Sequence, residues 1–277
     1  MSELEDTSIE RVASTGPLSP EYINNSMQVV QDFFRSKRAE LLQFYGKNEG
    51  VTTKQDGSLV TPKDAETEQQ LKDLLRFMDP NIGFAGEETA AEGNTETYWV
   101  IDPIDSTRSF INGEPYCTNM AALIHNGKVI CSIIYEFARE PPVMFTATEG
   151  KAMVDGQTIS VDLASVEPTV WIDCKNEDLR NELYDKTKEN SLTRSELEPP
   201  NGYRLSQFAQ GNLGIQVCHI ANAGPYDLIP GLFIAQQTGA IVRNIGSEEW
   251  NPEILEVIAY WPQYEAEAKK IEEELAV

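Results

Sequence analysis

The sequence has few cysteines, and their positions argue against disulfide bonds and against a zinc site. Only 4 occur among the 277 residues, they lie far apart, and none forms a CxxC pair. Most have apolar neighbours along the chain, which is typical of small side chains buried in a core. We therefore expect all of them to be buried. They are Cys117, Cys131, Cys174 and Cys218.

Long apolar segments are also missing. No run approaches the roughly 20 apolar residues that a membrane-spanning helix needs. Residues 1–15 are acidic and polar, whereas a targeting segment has basic residues followed by an apolar stretch. The sequence thus predicts a soluble, cytoplasmic protein with no membrane partner.

Basic residues are scarce relative to acidic ones. The chain has 22 lysines and arginines against 45 aspartates and glutamates, for a formal net charge of -23. Because no stretch is rich in lysine or arginine, this charge would repel a nucleic-acid backbone, and we expect no nucleic-acid partner. An enzyme of anionic substrates would need bound cations to reverse the field at its site.

The length and the 40% apolar content allow one large domain or two closely packed ones. Two N-terminal helices are predicted, one from Ser19-Pro20 to Gly46 and one from Thr61-Pro62 to Pro80. β-prone runs follow, and the turn pairs Asn126-Gly127 and Asp155-Gly156 predict hairpins. The predicted strands are 98–101, 118–124, 129–135, 151–154 and 158–161. Helices beside an antiparallel sheet indicate an α+β arrangement.

Beyond Pro168 the predicted strands and helices alternate, as in α/β proteins. The predicted strands are 169–174, 240–244 and 256–261, and the predicted helices are 177–189, 228–237 and a charged terminal helix. Residues 190–204 form the only long irregular stretch and are a candidate mobile loop. We place a domain boundary near Ala164, giving an N-terminal α+β domain, 1–163, and a C-terminal α/β domain, 164–277.

The chemistry of the chain is concentrated after the apolar run Trp99-Val100-Ile101. Asp102 and Asp105 follow it, separated by Pro103-Ile104, so both carboxylates emerge at a strand end. Carboxylates with a nearby hydroxyl suit a hard cation such as Mg²⁺, and the backbone N–H groups that follow could hold a phosphate. The spacing alone fits equally well with two aspartates that close a turn.

Further acids lie in mostly uncharged surroundings. Glu87 and Glu88 follow Gly86, and Asp227 stands at the start of a predicted helix. Perturbed acids gathered in a cleft are typical of functional sites. Glu88 also fits a solvated loop, and Asp227 also fits a helix N-cap.

Three motifs in this order resemble the inositol monophosphatase family of magnesium-dependent, lithium-sensitive phosphomonoesterases. The segments GEE, WVIDPIDSTRSF and a YD opening a helix are similar to the family's GEE, W-x-I-D-P-I-D-G-T-x-x-F and W-D-x-A-A-G. The upstream DGSLVTPKDAETE resembles D-x-V-T-x-x-D. The similarity is strong over residues 50–165 and looser in the C-terminal third.

The resemblance implies a layered α/β/α/β/α sandwich of the inositol monophosphatase/fructose-1,6-bisphosphatase type, with most metal ligands in the N-terminal domain. Two or three Mg²⁺ ions would be bound by Glu87, Asp102, the carbonyl of Ile104, Asp105 and Asp227. The implied substrate contacts are Asp105, Ser106, Thr107 and Asp227, with the Ser106 and Thr107 amides on the phosphate. The implied catalytic residues are Glu87, Asp105 and Thr107, and Thr107 would orient a metal-activated water.

The resemblance also implies a small phosphorylated metabolite as substrate and a possible homodimer. An inositol or sugar phosphate is the first expectation, with a 3'-phosphoadenosine nucleotide or histidinol phosphate as alternatives. Arg108, Lys175 and Arg204 are candidate contacts for a second anionic group, although a surface lysine or arginine usually has only a solubilising role. A haloacid dehalogenase-type phosphatase would have its two aspartates two residues apart rather than three.

The sequence departs from the family pattern at several positions. Ser106 replaces a glycine, and Tyr226 replaces a tryptophan. The acid that in many members precedes L-V-T and pairs with the motif threonine is here Ser58, with Asp56 as a possible substitute. A non-catalytic homologue that binds metal or phosphate is therefore the alternative of another class.

Overall fold

The computed structural model describes residues 18–189, 192–194, 199–219 and 223–275, in which helices and sheets form five layers. The helices are α1 Pro20–Phe44, α2 Pro62–Met78, α3 Thr107–Asn112, α4 Glu177–Glu189, α5 Asn201–Phe208, α6 Pro225–Gln237 and α7 Glu265–Leu275. The strands are β1 Thr52–Thr53, β2 Leu59–Val60, β3 Gly83–Gly86, β4 Thr97–Asp105, β5 Thr118–His125, β6 Lys128–Glu136, β7 Val143–Thr148, β8 Lys151–Val154, β9 Gln157–Thr158, β10 Thr169–Cys174, β11 Thr193–Arg194, β12 Ile215–His219, β13 Ile241–Asn244 and β14 Val257–Tyr260.

The helix caps and the hairpin turn predicted in the N-terminal half are present in the structure. The Ser19 side chain accepts a hydrogen bond from the Tyr22 amide and caps α1, and a capping box of Thr61 and Asp64 begins α2. At the β5–β6 turn, Asn126 and Gly127 have φ of 51° and 72°. Positive φ at both positions defines the turn that joins twisted strands most easily, so the predicted hairpin is confirmed.

The first sheet has seven strands in the order β3-β4-β5-β6-β7-β8-β9. It is antiparallel from β4 onward, as predicted, but β3 runs parallel to β4. Helices α1 and α2 cover one face, where Phe34, Leu71 and Trp99 share a core. This sheet positions the acids at the end of β4.

The second sheet has five strands in the order β11-β10-β12-β14-β13 and mixes parallel and antiparallel pairs. Helices α5 and α6 lie between the sheets, with Leu205 and Leu232 in a core that also contains Phe145. Helices α4 and α7 cover the outer face through Leu183 and Ile271. The predicted α/β/α/β/α sandwich is confirmed.

Several elements differ from the sequence-based expectation. Strands β3, β7 and β12 and helix α3 were not predicted, and α6 begins at Pro225 rather than 228. The prediction of an irregular stretch at 190–204 is wrong where the structure describes it, because β11 and the start of α5 lie there; residues 190–191 and 195–198 are outside the described residues. Asn201-Gly202 has the composition of a turn, yet it begins a helix that packs between the sheets.

Three further observations concern the domain boundary, the cysteines and membrane-spanning helices. The first sheet ends at Thr158 and the second begins at Thr169, on either side of the predicted boundary near Ala164, and the division into two domains stays a prediction. The four cysteines are buried and unpaired, as expected. Among the described residues, no helix is long and apolar enough to cross a membrane.

Candidate metal and phosphate site

Strand β4 delivers two buried carboxylates to one place. Residues three apart on a regular strand face opposite sides of a sheet, but the pairing of β4 with β5 is irregular between Asp102 and Asp105. The amide of Ile104 donates to Asp102 Oδ1 over 3.0 Å, and Asn119 Nδ2 donates to the Pro103 carbonyl over 2.6 Å. These bonds fix the Pro-Ile bulge that lets both side chains meet.

Asp227 reaches the same place from the first turn of α6. Its carboxylate accepts a hydrogen bond from the Gly224 amide and so completes the helix start. Asp102, Asp105 and Asp227 each offer an oxygen within 4.8 Å of the others. Asp227 therefore stabilises the start of α6 and also lies with the other acids.

Glu87 lies beside this cluster with its neighbour Glu88. The Glu87 amide donates to the Ile101 carbonyl over 3.1 Å, and the Glu87 and Asp102 carboxyls are close enough to shift each other's pKa. Lys54 Nζ lies 2.8 Å from an oxygen of each glutamate. Lys54 was not predicted; a lone lysine before the Asp56-Gly57 turn gives no sign in the sequence that it points into a carboxylate cluster.

Burial and mutual repulsion make the ionised form of the cluster acids unfavourable and so raise their pKa values. Burial, and then the charge of Asp227, raises the pKa of Asp105 to about 8. Burial likewise raises the pKa of Asp227 to about 7, and that of Asp102 stands well above its usual range. Because each charge penalises the others, the ionised cluster favours a cation. Its donor atoms are all oxygens, as Mg²⁺ prefers.

Thr107 is positioned by an acid that the sequence analysis did not identify. Its Oγ1 donates to Asp64 Oδ1 over 2.8 Å, while Asp64 Oδ2 accepts from the amide and hydroxyl of Thr61. The suggested substitute, Asp56, is exposed and accepts from Ser58 instead, so that expectation is wrong. The signal was present in D-x-V-T-x-x-D, whose second aspartate is Asp64.

Ser106 adopts the conformation that a glycine would adopt easily. It has φ 65° and ψ 71°, in the left-handed region, which costs a non-glycine residue about 1–2 kcal/mol. Its Oγ accepts from the Ser109 amide over 3.1 Å and caps α3. The amides of Ser106 and Thr107 thus lie at the start of α3, beside Asp105, where the family resemblance implies the phosphate contacts.

The start of α5 closes the site from the second sheet's side. The Gly202 amide donates to Asp105 Oδ2 over 2.7 Å, and the nearby Asn201 side chain lowers the pKa of Asp227. A Cβ at Gly202 would lie 2.1 Å from Thr118 Oγ1, so only glycine allows this approach. Both residues were missed because they fell in the predicted loop.

A model of the inositol monophosphatase family matches residues 24–276, nearly the whole chain. The chain belongs to the inositol monophosphatase family. Its fold agrees with that of solved members: the IMPase of Thermotoga maritima has a TM-score of 0.77 at 21% identity, covering 90% of this chain and 97% of that one. A staphylococcal IMPase complexed with products has a TM-score of 0.74 at 18% identity, covering 93% and 96%.

Curated relatives divide among several activities. The chloroplastic bifunctional phosphatase IMPL2 of Arabidopsis thaliana is 32% identical over 48% of this chain and 35% of its own length. The 3'(2'),5'-bisphosphate nucleotidase CysQ of Escherichia coli O157:H7 is 35% identical over 40% and 47%. These matches span half or less of each relative. Inositol monophosphatase 2 of Saccharomyces cerevisiae is 24% identical over 70% of this chain and 72% of its own length.

Proposed function

We propose that this family member is a Mg²⁺-dependent phosphomonoesterase of a small phosphorylated metabolite. The observation that carries the proposal is the convergence of Asp102, Asp105 and Asp227 within 4.8 Å, with the Thr107–Asp64 pair beside them. An inositol or sugar phosphate is the first substrate class to test. A 3'-phosphoadenosine nucleotide and histidinol phosphate are the alternatives within the family.

The buried carboxylates fit a divalent cation by their chemistry. Two or three Mg²⁺ ions would be held by Glu87, Asp102, Asp105, Asp227 and the carbonyl of Ile104. Bound cations would supply positive charge that offsets the carboxylates and the phosphate and that promotes ionisation of water. The ordinary alternative, a cluster kept protonated by its raised pKa values, would leave nothing at this place to attract a phosphate.

The chain itself would orient the reactants. Since the Thr107 hydroxyl donates its proton to Asp64, its oxygen can only accept from a water molecule, which fixes that water's orientation. The Ser106 and Thr107 amides would bind the phosphate oxygens. In the reaction the water oxygen bonds to phosphorus, the bond from phosphorus to the ester oxygen breaks, and a proton reaches the leaving alcohol. The products are the alcohol and inorganic phosphate.

Phosphate release tests the proposal. The panel is inositol 1-phosphate, histidinol phosphate, fructose 1,6-bisphosphate and 3'-phosphoadenosine 5'-phosphate, each with Mg²⁺ and with chelator. We expect Mg²⁺-dependent turnover that Asp105→Asn removes and Asp32→Asn, at an exposed position of α1, retains. Metal binding without turnover of any compound would instead support the non-catalytic homologue. The homodimer stays a prediction, which light scattering can test.

A further inference from the structure

A cavity of roughly 440 Å³ adjoins the proposed phosphate site. It shares Ser106 at the start of α3 and Asn201 at the start of α5 with that site. Small-molecule pockets commonly measure about 300–1,000 Å³. The cavity can therefore hold part of a metabolite whose other end lies at the carboxylates.

Positive charge is concentrated around this cavity. Among the residues that the structure describes, four arginines line it against two carboxylates, those of Glu114 and Asp173, in a chain where acidic residues outnumber basic ones by 45 to 22. Each arginine comes from a different element, α3, α4, β11 or α5. They are Arg108, Arg180, Arg194 and Arg204. Lys175, the remaining basic candidate from the sequence, lies outside the cavity.

Arg204 forms a fixed part of the cavity wall. It is 5% exposed, and its guanidinium donates to Gln216, to the Pro199 carbonyl and to Asn201. The same guanidinium stacks over the Trp171 ring at 4.7 Å. Because the Asn201 side chain also lowers the pKa of Asp227, Asn201 lies between this arginine and the carboxylate cluster.

Some donor atoms at the cavity have no partner among the described residues, although Arg180 Nη2 lies 3.7 Å from Glu177 Oε1. Arg108 is exposed and forms no hydrogen bond or ion pair within the described part of the chain. The Nε of Arg180 and the indole Nε1 of Trp171 are buried, and neither has a partner among the residues that the structure describes. Trp171 is only 9% exposed. Buried donors without acceptors are costly and call for an explanation.

We propose that this cavity binds a second phosphate group of the substrate, so that the enzyme prefers doubly phosphorylated metabolites. The inference rests on the proposed function and specifies its substrate. A phosphate offers several acceptor oxygens and two negative charges, which match the Arg108 guanidinium, the Arg180 Nε and the Trp171 indole Nε1. A monophosphate of a neutral polyol would leave these donors unsatisfied, and specificity arises from such unmatched groups.

Matched substrate pairs test the proposal, since each pair differs only by the second phosphate. The pairs are fructose 1,6-bisphosphate with fructose 1-phosphate, and 3'-phosphoadenosine 5'-phosphate with adenosine 3'-phosphate. We expect kcat/KM to favour the bisphosphate of at least one pair, and the responding pair separates sugar from nucleoside substrates. Arg108→Gln and Arg180→Gln should each reduce that preference about 10- to 100-fold, the range for loss of one charge-assisted hydrogen bond.

Arg35→Gln on α1, which removes an exposed arginine far along the chain from the cavity, is the matched control and should leave the preference unchanged. Equal kcat/KM for both members of each pair, or a preference that neither cavity variant reduces, overturns the second-phosphate site. If no compound is hydrolysed, the proposed function has failed. Calorimetric binding of the same pairs with Ca²⁺ then tests whether the cavity binds a second phosphate. Tighter bisphosphate binding that Arg108→Gln weakens supports it, and equal binding refutes it.

Discussion

The carboxylate cluster should destabilise the metal-free protein increasingly as the pH rises. The folded pKa of Asp105, about 8, lies above its ordinary value of 3.8. Between these values the folded state binds more protons than the unfolded state, so the free energy of unfolding falls as the pH rises. Below about pH 4 the carboxyl is protonated in both states and the penalty is absent; above about pH 8 it is complete.

The size of this penalty follows from the shift. One pKa unit corresponds to about 1.4 kcal/mol, so a shift of roughly four units sets an upper limit of about 6 kcal/mol for Asp105. Since Asp227 contributes to the same repulsion, removing one charge relieves only part of it, and we expect about 2–4 kcal/mol. Asn at this position can still accept from the Gly202 amide, which bonds to Asp105 over 2.7 Å.

Urea unfolding in chelator at pH 5, 6, 7 and 8 measures the effect. We expect Asp105→Asn to be more stable than the native chain at pH 8, with a flatter dependence on pH, while exposed Asp32→Asn follows the native curve. Mg²⁺ should reverse the order, because a ligand of the folded state stabilises it by mass action. Parallel native and Asp105→Asn curves in chelator, or a less stable variant at pH 8, would refute the reasoning.

Three further predictions concern single residues. Thr107→Val should lower kcat about 100-fold or more with little change in KM, because the hydroxyl is removed. Asp64→Asn should lower kcat less, because the hydroxyl remains and loses only its orientation. Steady-state kinetics on the best substrate checks both variants. Ser106→Ala should be less stable than Ser106→Gly by about 1 kcal/mol in urea unfolding, since alanine keeps the left-handed strain and loses the cap. Phe34→Ala should cost about 3–5 kcal/mol, because Phe34 is fully buried between α1 and the first sheet.

Local chemistry made much of the fold predictable. Ser19-Pro20 and Thr61-Pro62 begin helices because their side chains and fixed φ satisfy the first turn, and Asn126-Gly127 makes a hairpin because both residues tolerate positive φ. The strand Gly83–Gly86 was not predicted because two of its four residues are glycines, and glycine within a strand weakens it. Its parallel pairing with β4 supplies the stability that its composition lacks.

The candidate site was predictable where its residues lie in motifs that resemble those of the family. Asp102 and Asp105 are close in sequence, but Asp64 reaches Thr107 across 43 residues and Gly202 reaches Asp105 across 97. The hydrophobic periodicity of a sequence does not indicate contacts between residues so far apart along the chain. One oxygen of Asp64 caps the start of α2 by accepting from Thr61, and only the structure shows that its other oxygen faces Thr107.

The net charge of the chain does not predict the local electric field at one site. A net charge of -23 and the lack of a basic stretch describe the sequence, whereas the field that a ligand meets depends on which charges folding brings together. The four cavity arginines are separated along the chain, so they form no basic segment, yet they line one cavity next to the carboxylates. A concave site of this size suits a small anion, while the acidic remainder still disfavours a long polyanion.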